Sequence, residues 1–473
     1  MVFSSVQFLF YFLPLFFLCY YALPGKNLTL TLFSFVFYAW GEPAFVPILA
    51  VYILINWGFG LLIDRAGGWK RWALAGGVLG NFGLLVYFKY FNFLAEQARL
   101  VAGWLGWGFE APPPVLLPLG ISFITFQGVS YVVDVYRGTV PAQRSLLNFA
   151  MYKSMFPQLI AGPIVRYSHI KDDVERRPVV LDRLFEGARQ FMVGFAQKVL
   201  IANTLAAPAD QIFALPADEL SMATAWLGIA CYTLQIFFDF AGYSNMAIGL
   251  GHMIGFRFPI NFDRPYAAQS ITEFWRRWHM SLSSWFRDYL YIPLGGNRGS
   301  ALRTYANLFT VFVLCGFWHG ASWNFMIWGA YHGLFLVIER LGLGRLLESL
   351  WRPLRHAYLV LVVMVGWVFF RADDLPKALD YLNAMAGLGG PGSPLAIPGR
   401  YLFPSVQLAL LAGVLLSTLP AARWLAEASR RLDGVPGRGV PVGLAHAGLF
   451  GLTVLAVLSI AGGAYNPFIY YRF

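Results

Sequence analysis

The stretch of sequence that decides the fold is AFVPILAVYILINWGFGLLI, residues 44–63, which contains no charged side chain. About 20 apolar residues in a helix are enough to cross the hydrocarbon core of a bilayer. The whole chain of 473 residues is 58% hydrophobic and 12% charged, whereas a soluble domain has about 25% charged residues. The sequence therefore predicts a polytopic membrane protein and excludes a conventional soluble enzyme, a coiled coil and a disordered chain.

Further apolar runs on both sides of residues 44–63 predict more membrane-spanning helices. They cover residues 6–23, 28–41, 73–94, 115–136, 190–207, 222–240, 305–318, 321–339, 357–370, 403–420 and 440–463. We therefore expect an all-α fold with about 11–12 transmembrane helices, in a single transmembrane domain over residues 1–473. Shorter apolar pieces near 147–163 and 241–256 contain Pro, Gly or polar residues, and we interpret them as re-entrant or interfacial segments.

The Lys and Arg residues are concentrated in alternate loops. Of the 35 Lys and Arg residues, 26 lie in the six segments 64–71, 137–144, 164–189, 257–303, 340–355 and 421–438. The intervening loops near 95–114, 208–221 and 371–402 hold only four. By the positive-inside rule the six basic loops are cytoplasmic and the N-terminus is extracytoplasmic. The net charge of +11 is therefore explained by topology, and we expect no nucleic-acid partner.

The chain carries few signs of a metal or cofactor. Cys19, Cys231 and Cys315 lie within apolar runs at no paired spacing, which indicates neither a disulfide framework nor a zinc site. There is no Walker A loop and no Gly-x-Ser-x-Gly elbow, so ATP-driven transport and a covalent serine mechanism lack their usual signatures. We expect no metal and no bound cofactor.

The first candidate for a functional residue is His319, in Trp318-His319-Gly320 between two apolar runs. Ionisable groups within membrane segments are costly and are by default functional. An imidazole with an ordinary pKa of about 6.5 accepts a proton at neutral pH. Gly316 and Gly320 flank the motif and permit an unwound or closely packed backbone. The alternative, that His319 only forms hydrogen bonds between helices, stays open. We interpret a second histidine of this region, His332, as structural.

The second candidate is the basic segment 257–303, which is also rich in aromatic residues. Its arginines are typical of a cationic mouth for a phosphate-bearing cytosolic substrate, or of an interfacial helix that meets anionic lipid. Tryptophans in it, including Trp275, Trp278 and Trp285, are expected at the lipid headgroups. The predicted substrate-binding residues in this segment are Arg276, Arg277, Arg287 and Asp288, with His279 at the inner end of the mouth.

A third candidate is the polar pair Asp239 and Asn245, which lies in an otherwise apolar region. A carboxylate and an amide in such surroundings predict a packed polar network that shapes a substrate-binding site. We expect Asp239 to pair with an arginine from segment 257–303.

Several motifs together resemble the membrane-bound O-acyltransferase (MBOAT) family. They are Trp275–Ser283 (WRRWHMSLS), Arg287–Ile292 (RDYLYI) and Gly316–Gly320 (GFWHG). Other motifs look like the bacterial branch of the family that O-acetylates polysaccharides such as alginate. These are Leu117–Phe123, Leu159–Ile164 and Phe238–Ser244. The resemblance covers essentially the whole chain.

The resemblance implies an acyltransferase with an MBOAT fold in the bacterial inner (cytoplasmic) membrane. It implies a cytosolic donor, expected to be acetyl-CoA, and an acceptor that arrives from the extracytoplasmic side. His319 falls at the family's general base, and His279 at a second signature position that is Asn or His in relatives, so the resemblance implies a catalytic role for His279 as well. The resemblance also implies a periplasmic acetyltransferase partner that modifies the polysaccharide. The aromatic tail Tyr465–Phe473 is interpreted as a docking element for that partner, or as an aromatic belt.

Other functions stay open on the sequence alone. The same reaction would also acetylate peptidoglycan or cellulose, and the quoted motifs do not distinguish between these acceptors. A non-catalytic transporter of acyl groups and a scaffold for glycan export are alternatives from other classes.

Overall fold

The computed structural model describes residues 1–178, 180–390, 392–393, 396–419 and 439–468. Over these residues the chain forms helices joined by loops and no β-strand, which confirms the all-α prediction. The predicted basic loop 421–438 lies outside the described residues, as do residues 469–473 of the predicted docking tail.

The chain divides into two compact units. The first comprises residues 1–185, 250–259 and 317–322, and the second comprises residues 186–249, 260–316 and 323–473. The α-helices that begin in the first unit are Leu13–Ala22, Lys26–Gly41, Val46–Arg65, Lys70–Leu85, Phe91–Trp104, Ile121–Arg137, Leu146–Ser154, Phe156–Leu159, Tyr167–Glu175 and Leu181–Ala196.

The other α-helices of the described residues begin in the second unit. They are Asn203–Phe213, Met222–Met253, Ile271–Arg277, Met280–Phe286, Ala301–His319, Trp323–Ile338, Gly344–Ser349, Arg352–Arg371, Leu375–Met385, Pro404–Thr418 and Gly439–Ala461. Short π-helical turns extend several helices, at Phe8–Phe12, Val86–Tyr90, Gln197–Ala202, Arg287–Tyr291 and Glu339–Leu343. Turns of 3₁₀-helix lie at Pro43–Phe45, Gly67–Trp69, Pro265–Ala267 and Pro398–Arg400.

The helical segments have the length and composition of a multi-pass membrane protein. Within the described residues, six segments are long and apolar enough to cross a membrane: Pro43–Arg65, Gly67–Trp104, Leu181–Phe213, Met222–Met253, Ala301–His319 and Arg352–Arg371. Other predicted spans form shorter helices. For example, Ile121–Arg137 has 17 residues and Trp323–Ile338 has 16. Within the described residues every predicted apolar run therefore overlaps a helix, although several of these helices are shorter than a full span.

The prediction of a separate segment at residues 241–256 is wrong. The sequence predicts a re-entrant or interfacial piece there, but residues 241–253 continue the helix Met222–Met253. A Cβ added to Gly242 or Gly249 would lie within 3.0 Å of the carbonyl oxygen of Gly194 or Gly187, respectively. The glycines therefore permit close contact between two helices, which is a common use of small residues in membrane proteins, and they do not end the helix.

An amide pair joins the helices of the first unit that lie around residues 44–85. Asn56 and Asn81 exchange two hydrogen bonds of 3.0 and 2.8 Å. Both side chains are fully buried. A Cβ on Gly128, in the helix Ile121–Arg137, would lie within 3.0 Å of both amides. Because a buried amide is costly unless it is hydrogen-bonded, this pair fixes the packing of three helices.

Gly316 allows a backbone contact close to the predicted site. A Cβ on Gly316 would lie within 3.0 Å of the Phe325 carbonyl oxygen, and one on Gly329 would lie equally close to that of Phe312. The helices Ala301–His319 and Trp323–Ile338 thus meet backbone to backbone, as the glycine at position 316 predicted. This contact lies one helical turn before His319.

Replacing Gly316 by alanine should therefore destabilise the protein. Overpacking of this kind costs about 1–3 kcal/mol. The matched control is Gly83→Ala, because a Cβ on Gly83 would meet nothing within 4 Å. We expect Gly316→Ala to lower the thermal unfolding midpoint in detergent, and Gly83→Ala to leave it unchanged or slightly higher. Equal midpoints for the two variants would contradict the close contact.

Candidate active site

His319 is the last residue of the helix Ala301–His319, and its side chain is buried. The imidazole packs edge-on against Trp318, with 4.8 Å between ring centroids. Trp318 in turn stacks on Phe126 at 5.0 Å and meets Phe123 at 5.6 Å. Aromatic packing therefore holds the end of this helix in the first unit.

Two side chains from one helical turn bind the carbonyl groups at the end of this helix. The Lys89 ammonium donates to the carbonyl oxygens of Trp318 at 2.6 Å and His319 at 3.1 Å. The Tyr90 hydroxyl donates to the carbonyl oxygen of Phe317 at 2.9 Å. The last carbonyls of a helix have no partner within the helix, so Lys89 and Tyr90 supply the missing donors. We call these two residues the helix-end clamp.

The local fold explains how the helix-end clamp forms. Both of its residues lie in the π-helical turn Val86–Tyr90, a type of distortion that is frequent at functional sites. The third acceptor of Lys89 is the hydroxyl of Ser122 at 3.0 Å. Sequence analysis missed Lys89, although a lysine inside the apolar run 73–94 is an ionisable group in a membrane segment and satisfies the criterion applied to His319.

His279 lies at a sharp turn between the helices Ile271–Arg277 and Met280–Phe286. Its backbone is left-handed, with φ of 44°, a conformation that is uncommon for any residue except glycine. The side chain is only 1% exposed, and the ring meets Phe240 edge to face at 4.7 Å. Strained backbone of this kind is concentrated at functional sites.

Asn261 organises the polar surroundings of His279. Its Oδ1 accepts hydrogen bonds from the Ser281 hydroxyl at 2.8 Å and the Ser281 backbone N–H at 3.3 Å. His279 Nδ1 lies 3.1 Å from the same oxygen, and Asn261 Nδ2 donates to the Ser244 hydroxyl at 3.1 Å. Because this oxygen is an acceptor, Nδ1 of His279 carries the proton and Nε2 carries the lone pair. Burial lowers the pKa of His279 to about 3, so the ring is neutral at physiological pH.

The tryptophans around His279 are buried in protein, whereas their depth at the level of the lipid headgroups stays a prediction. Trp275, Trp278 and Trp285 are 7%, 4% and 4% exposed. For example, the ring of Trp278 lies 5.0 Å from that of Trp367. Large aromatic side chains contribute much of the apolar area of a core, and here they fix the segment that carries His279. His332 belongs to the same cluster, with its ring 5.1 Å from that of Trp275.

The predicted substrate-binding arginines have different surroundings. Arg277 forms an ion pair with Glu273 at 2.6 Å, and Arg287 forms one with Asp288 at 2.7 Å. Arg276 instead lines a cavity of about 600 Å³ in the second unit. The structure thus brings Arg276 to a cavity but does not bring Arg277, Arg287 or Asp288 to its wall.

Two arginines that sequence analysis did not single out line the same cavity. Arg340 follows the helix Trp323–Ile338, and Arg355 lies in the helix Arg352–Arg371. Among the described residues, the guanidinium groups of Arg276, Arg340 and Arg355 have no hydrogen bond or ion pair. The sequence holds no local sign of this arrangement, because the three residues are brought together only by tertiary structure.

The buried carboxylate of Glu339 holds the helix that carries Arg276. It accepts hydrogen bonds from the backbone N–H groups of Ile271 at 2.6 Å and Thr272 at 2.9 Å, and from the Thr272 hydroxyl at 2.6 Å. A carboxylate at a helix N-terminus compensates the partial positive charge of the unpaired N–H groups. Glu339 therefore fixes the start of the helix Ile271–Arg277, which ends two residues before His279.

Asp239 forms a buried ion pair with Lys198, and the expected pairing with an arginine from segment 257–303 is wrong. Lys198 lies on the π-helical turn Gln197–Ala202, within the membrane-spanning segment Leu181–Phe213, so a neighbouring helix supplies the cation. Asn245 donates to the side chain of Gln197 at 2.8 Å. These contacts join two helices, and the assignment of Asp239 and Asn245 to substrate binding stays a prediction.

Comparisons with known proteins agree with these motifs. The family model for the membrane-bound O-acyltransferase (MBOAT) family matches residues 139–370. The chain is 43% identical to a probable alginate O-acetylase AlgI of Azotobacter vinelandii, over the full length of both chains. It is 48% identical to a probable alginate O-acetylase AlgI of Pseudomonas aeruginosa, over 82% of this chain and 75% of the relative. A peptidoglycan O-acetyltransferase of Helicobacter pylori is 37% identical, over 82% of this chain and 80% of the relative.

Identity of this extent adds to the two histidine motifs and the multi-pass helical fold. This chain belongs to the membrane-bound O-acyltransferase family.

Proposed function

We propose that this protein transfers acetyl groups from cytosolic acetyl-CoA to a hydroxyl acceptor on the extracytoplasmic side of the bacterial inner membrane. The product serves the O-acetylation of an alginate-type exopolysaccharide. The observation that carries the proposal is a buried histidine at a helix end whose carbonyls are held by dedicated donors. The names of the full-length relatives support the acetyl group and the glycan.

In the proposed reaction His319 is the general base. Its imidazole takes the proton of the acceptor hydroxyl while the acceptor oxygen forms a bond to the acetyl carbonyl carbon. The carbon–sulfur bond of the thioester then breaks, and the proton leaves with coenzyme A as its thiol. A positioned general base contributes about 10²–10⁴-fold to such a reaction. His279 stays neutral in the proposed function, with Nε2 as a hydrogen-bond acceptor.

The arginine-lined cavity supports a phosphate-bearing donor. Ligand cavities typically measure about 300–1,000 Å³, and this one measures about 600 Å³. Guanidinium groups match phosphate oxygens through paired hydrogen bonds. The phosphates of coenzyme A would satisfy Arg276, Arg340 and Arg355, which the described residues leave without partners.

The carboxylates at the cavity do not cancel this charge. The charge of Glu273 is already paired with Arg277, and that of Glu339 is met by backbone N–H groups. Glu348, the remaining carboxylate at the wall, is exposed. Tyr291 and Asn297 also line the cavity and offer an aromatic face and an amide to a nucleobase.

The acetyl group then passes to the glycan through a second protein. We propose a periplasmic acetyltransferase as the partner, with the N-terminus of this chain on the same extracytoplasmic side. A second candidate acceptor is peptidoglycan, because the Helicobacter pylori relative is named for that activity. A deletion strain distinguishes the two acceptors. Gas chromatography measures which isolated polymer, alginate or peptidoglycan, has lost its acetyl esters.

The first test of the function removes His319. Purified His319→Ala should fold normally but release free coenzyme A from acetyl-CoA about 10²–10⁴-fold more slowly than the wild type. The matched control is His446→Ala, since His446 is exposed and has no role in the proposal. Full activity of His319→Ala would contradict the role of His319. A wild-type protein that leaves the thioester intact would instead indicate a non-catalytic carrier.

The second test concerns the charge of His279. With a pKa of about 3, its imidazole is neutral throughout the range from pH 5 to pH 8. His279→Asn keeps a residue that tolerates a left-handed backbone and should slow turnover about 5- to 10-fold, the worth of one neutral hydrogen bond. The shape of the pH–rate profile between pH 5 and pH 8 should not change. Loss of a limb of that profile in the variant would show that His279 titrates there.

The third test concerns the donor cavity. Arg340→Ala and Arg355→Ala should each raise the KM for acetyl-CoA about 10- to 150-fold, because a charge-assisted hydrogen bond is worth about 1.5–3 kcal/mol. The KM for acetyl-pantetheine, which lacks the nucleotide phosphates, should not change. Arg345→Ala is the control, since Arg345 is exposed and does not line the cavity. An unchanged KM for acetyl-CoA would show that these arginines do not bind the donor.

A further inference from the structure

Lys89 is a buried lysine within the membrane-spanning segment Gly67–Trp104. Its ammonium group has three N–H donors, and the structure supplies three acceptors. They are the hydroxyl of Ser122 at 3.0 Å and the carbonyl oxygens of Trp318 at 2.6 Å and His319 at 3.1 Å. Every donor of the ammonium group is therefore matched to an acceptor.

The acceptors of Lys89 distinguish it from an ordinary buried cation. Among the described residues it forms no ion pair with a carboxylate, so its positive charge is balanced by oxygen dipoles. The C-terminus of a helix carries a partial negative charge that favours a cation. A charge at membrane depth is costly and is retained where it has a function.

A second buried lysine provides a comparison within the same unit. Lys153 is buried too, and its ammonium donates to the carbonyl oxygen of Ile124 at 2.6 Å. Ile124 lies within the helix Ile121–Arg137 and is not a residue of the proposed site. Both lysines anchor a carbonyl group, but only Lys89 of the two anchors that of His319.

We propose that Lys89 is a positioning residue that sets the orientation of the His319 imidazole through the backbone of His319. This inference rests on the proposed role of His319 as general base. The final residue of a helix is held by few bonds of the helix itself, and its side-chain direction follows its backbone. A displacement of about 1 Å at a reacting group can cost about 10²-fold in rate.

The test compares three variants for the release of coenzyme A from acetyl-CoA. Lys89→Met keeps the length of the apolar stem but removes all three donors, and we expect kcat to fall about 10- to 100-fold. Because the donor site is unaltered, the KM for acetyl-CoA should stay within about twofold. Lys89→Arg retains a cation with several donors and should recover most of the lost kcat. Lys153→Met is the matched control, with a wild-type kcat.

The thermal unfolding midpoint of each variant is measured in parallel. A wild-type kcat for Lys89→Met would overturn the proposal. So would a parallel loss of kcat and unfolding midpoint in all three variants, because that result indicates a structural role alone. If the wild-type protein itself releases no coenzyme A, the proposed function fails, and this outcome is visible before any Lys89 variant is compared.

Discussion

The constraint on which the structure depends is that polar groups without water must find partners inside the protein. In a bilayer each unsatisfied backbone group costs several kcal/mol, and the ends of helices expose such groups. The helix Ala301–His319 ends at the residue that we propose as the general base. Lys89 and Tyr90 satisfy its last carbonyls. The requirement for satisfied polar groups thus also determines where His319 lies.

The surroundings of His279 follow the same principle with different groups. Glu339 supplies acceptors to the N–H groups at the start of the helix Ile271–Arg277, and Asn261 Oδ1 lies within 3.1 Å of the ring nitrogen of His279. Buried tryptophans pack around this segment. Together these contacts maintain a left-handed backbone at His279 that a free loop would not keep. The positions of both histidines are therefore determined by surrounding residues and not by their own local sequence.

How far the sequence predicts this structure depends on whether a feature is local. Apolar runs predict the helices because the requirement for about 20 apolar residues is local, and the motifs around His279 and His319 indicate the family. Three features were not predicted: the lysine that pairs with Asp239, the burial of Trp275, and the position of Arg340 and Arg276 at one cavity. Each depends on contacts between distant parts of the chain. Lys89 differs from these, because its charge within an apolar run was visible in the sequence and was overlooked.

In the proposed function an acetyl group crosses the membrane by chemistry and not by carriage of an intact thioester. Inside-out membrane vesicles test it most directly, since their outer surface is the cytoplasmic face. Acetyl-CoA labelled in the acetyl group is added outside, and the labelled products on each side are separated. Transfer by chemistry predicts free coenzyme A outside and an equal amount of label inside as alkali-labile ester. Labelled thioester inside the vesicles, or ester without release of coenzyme A, would contradict it.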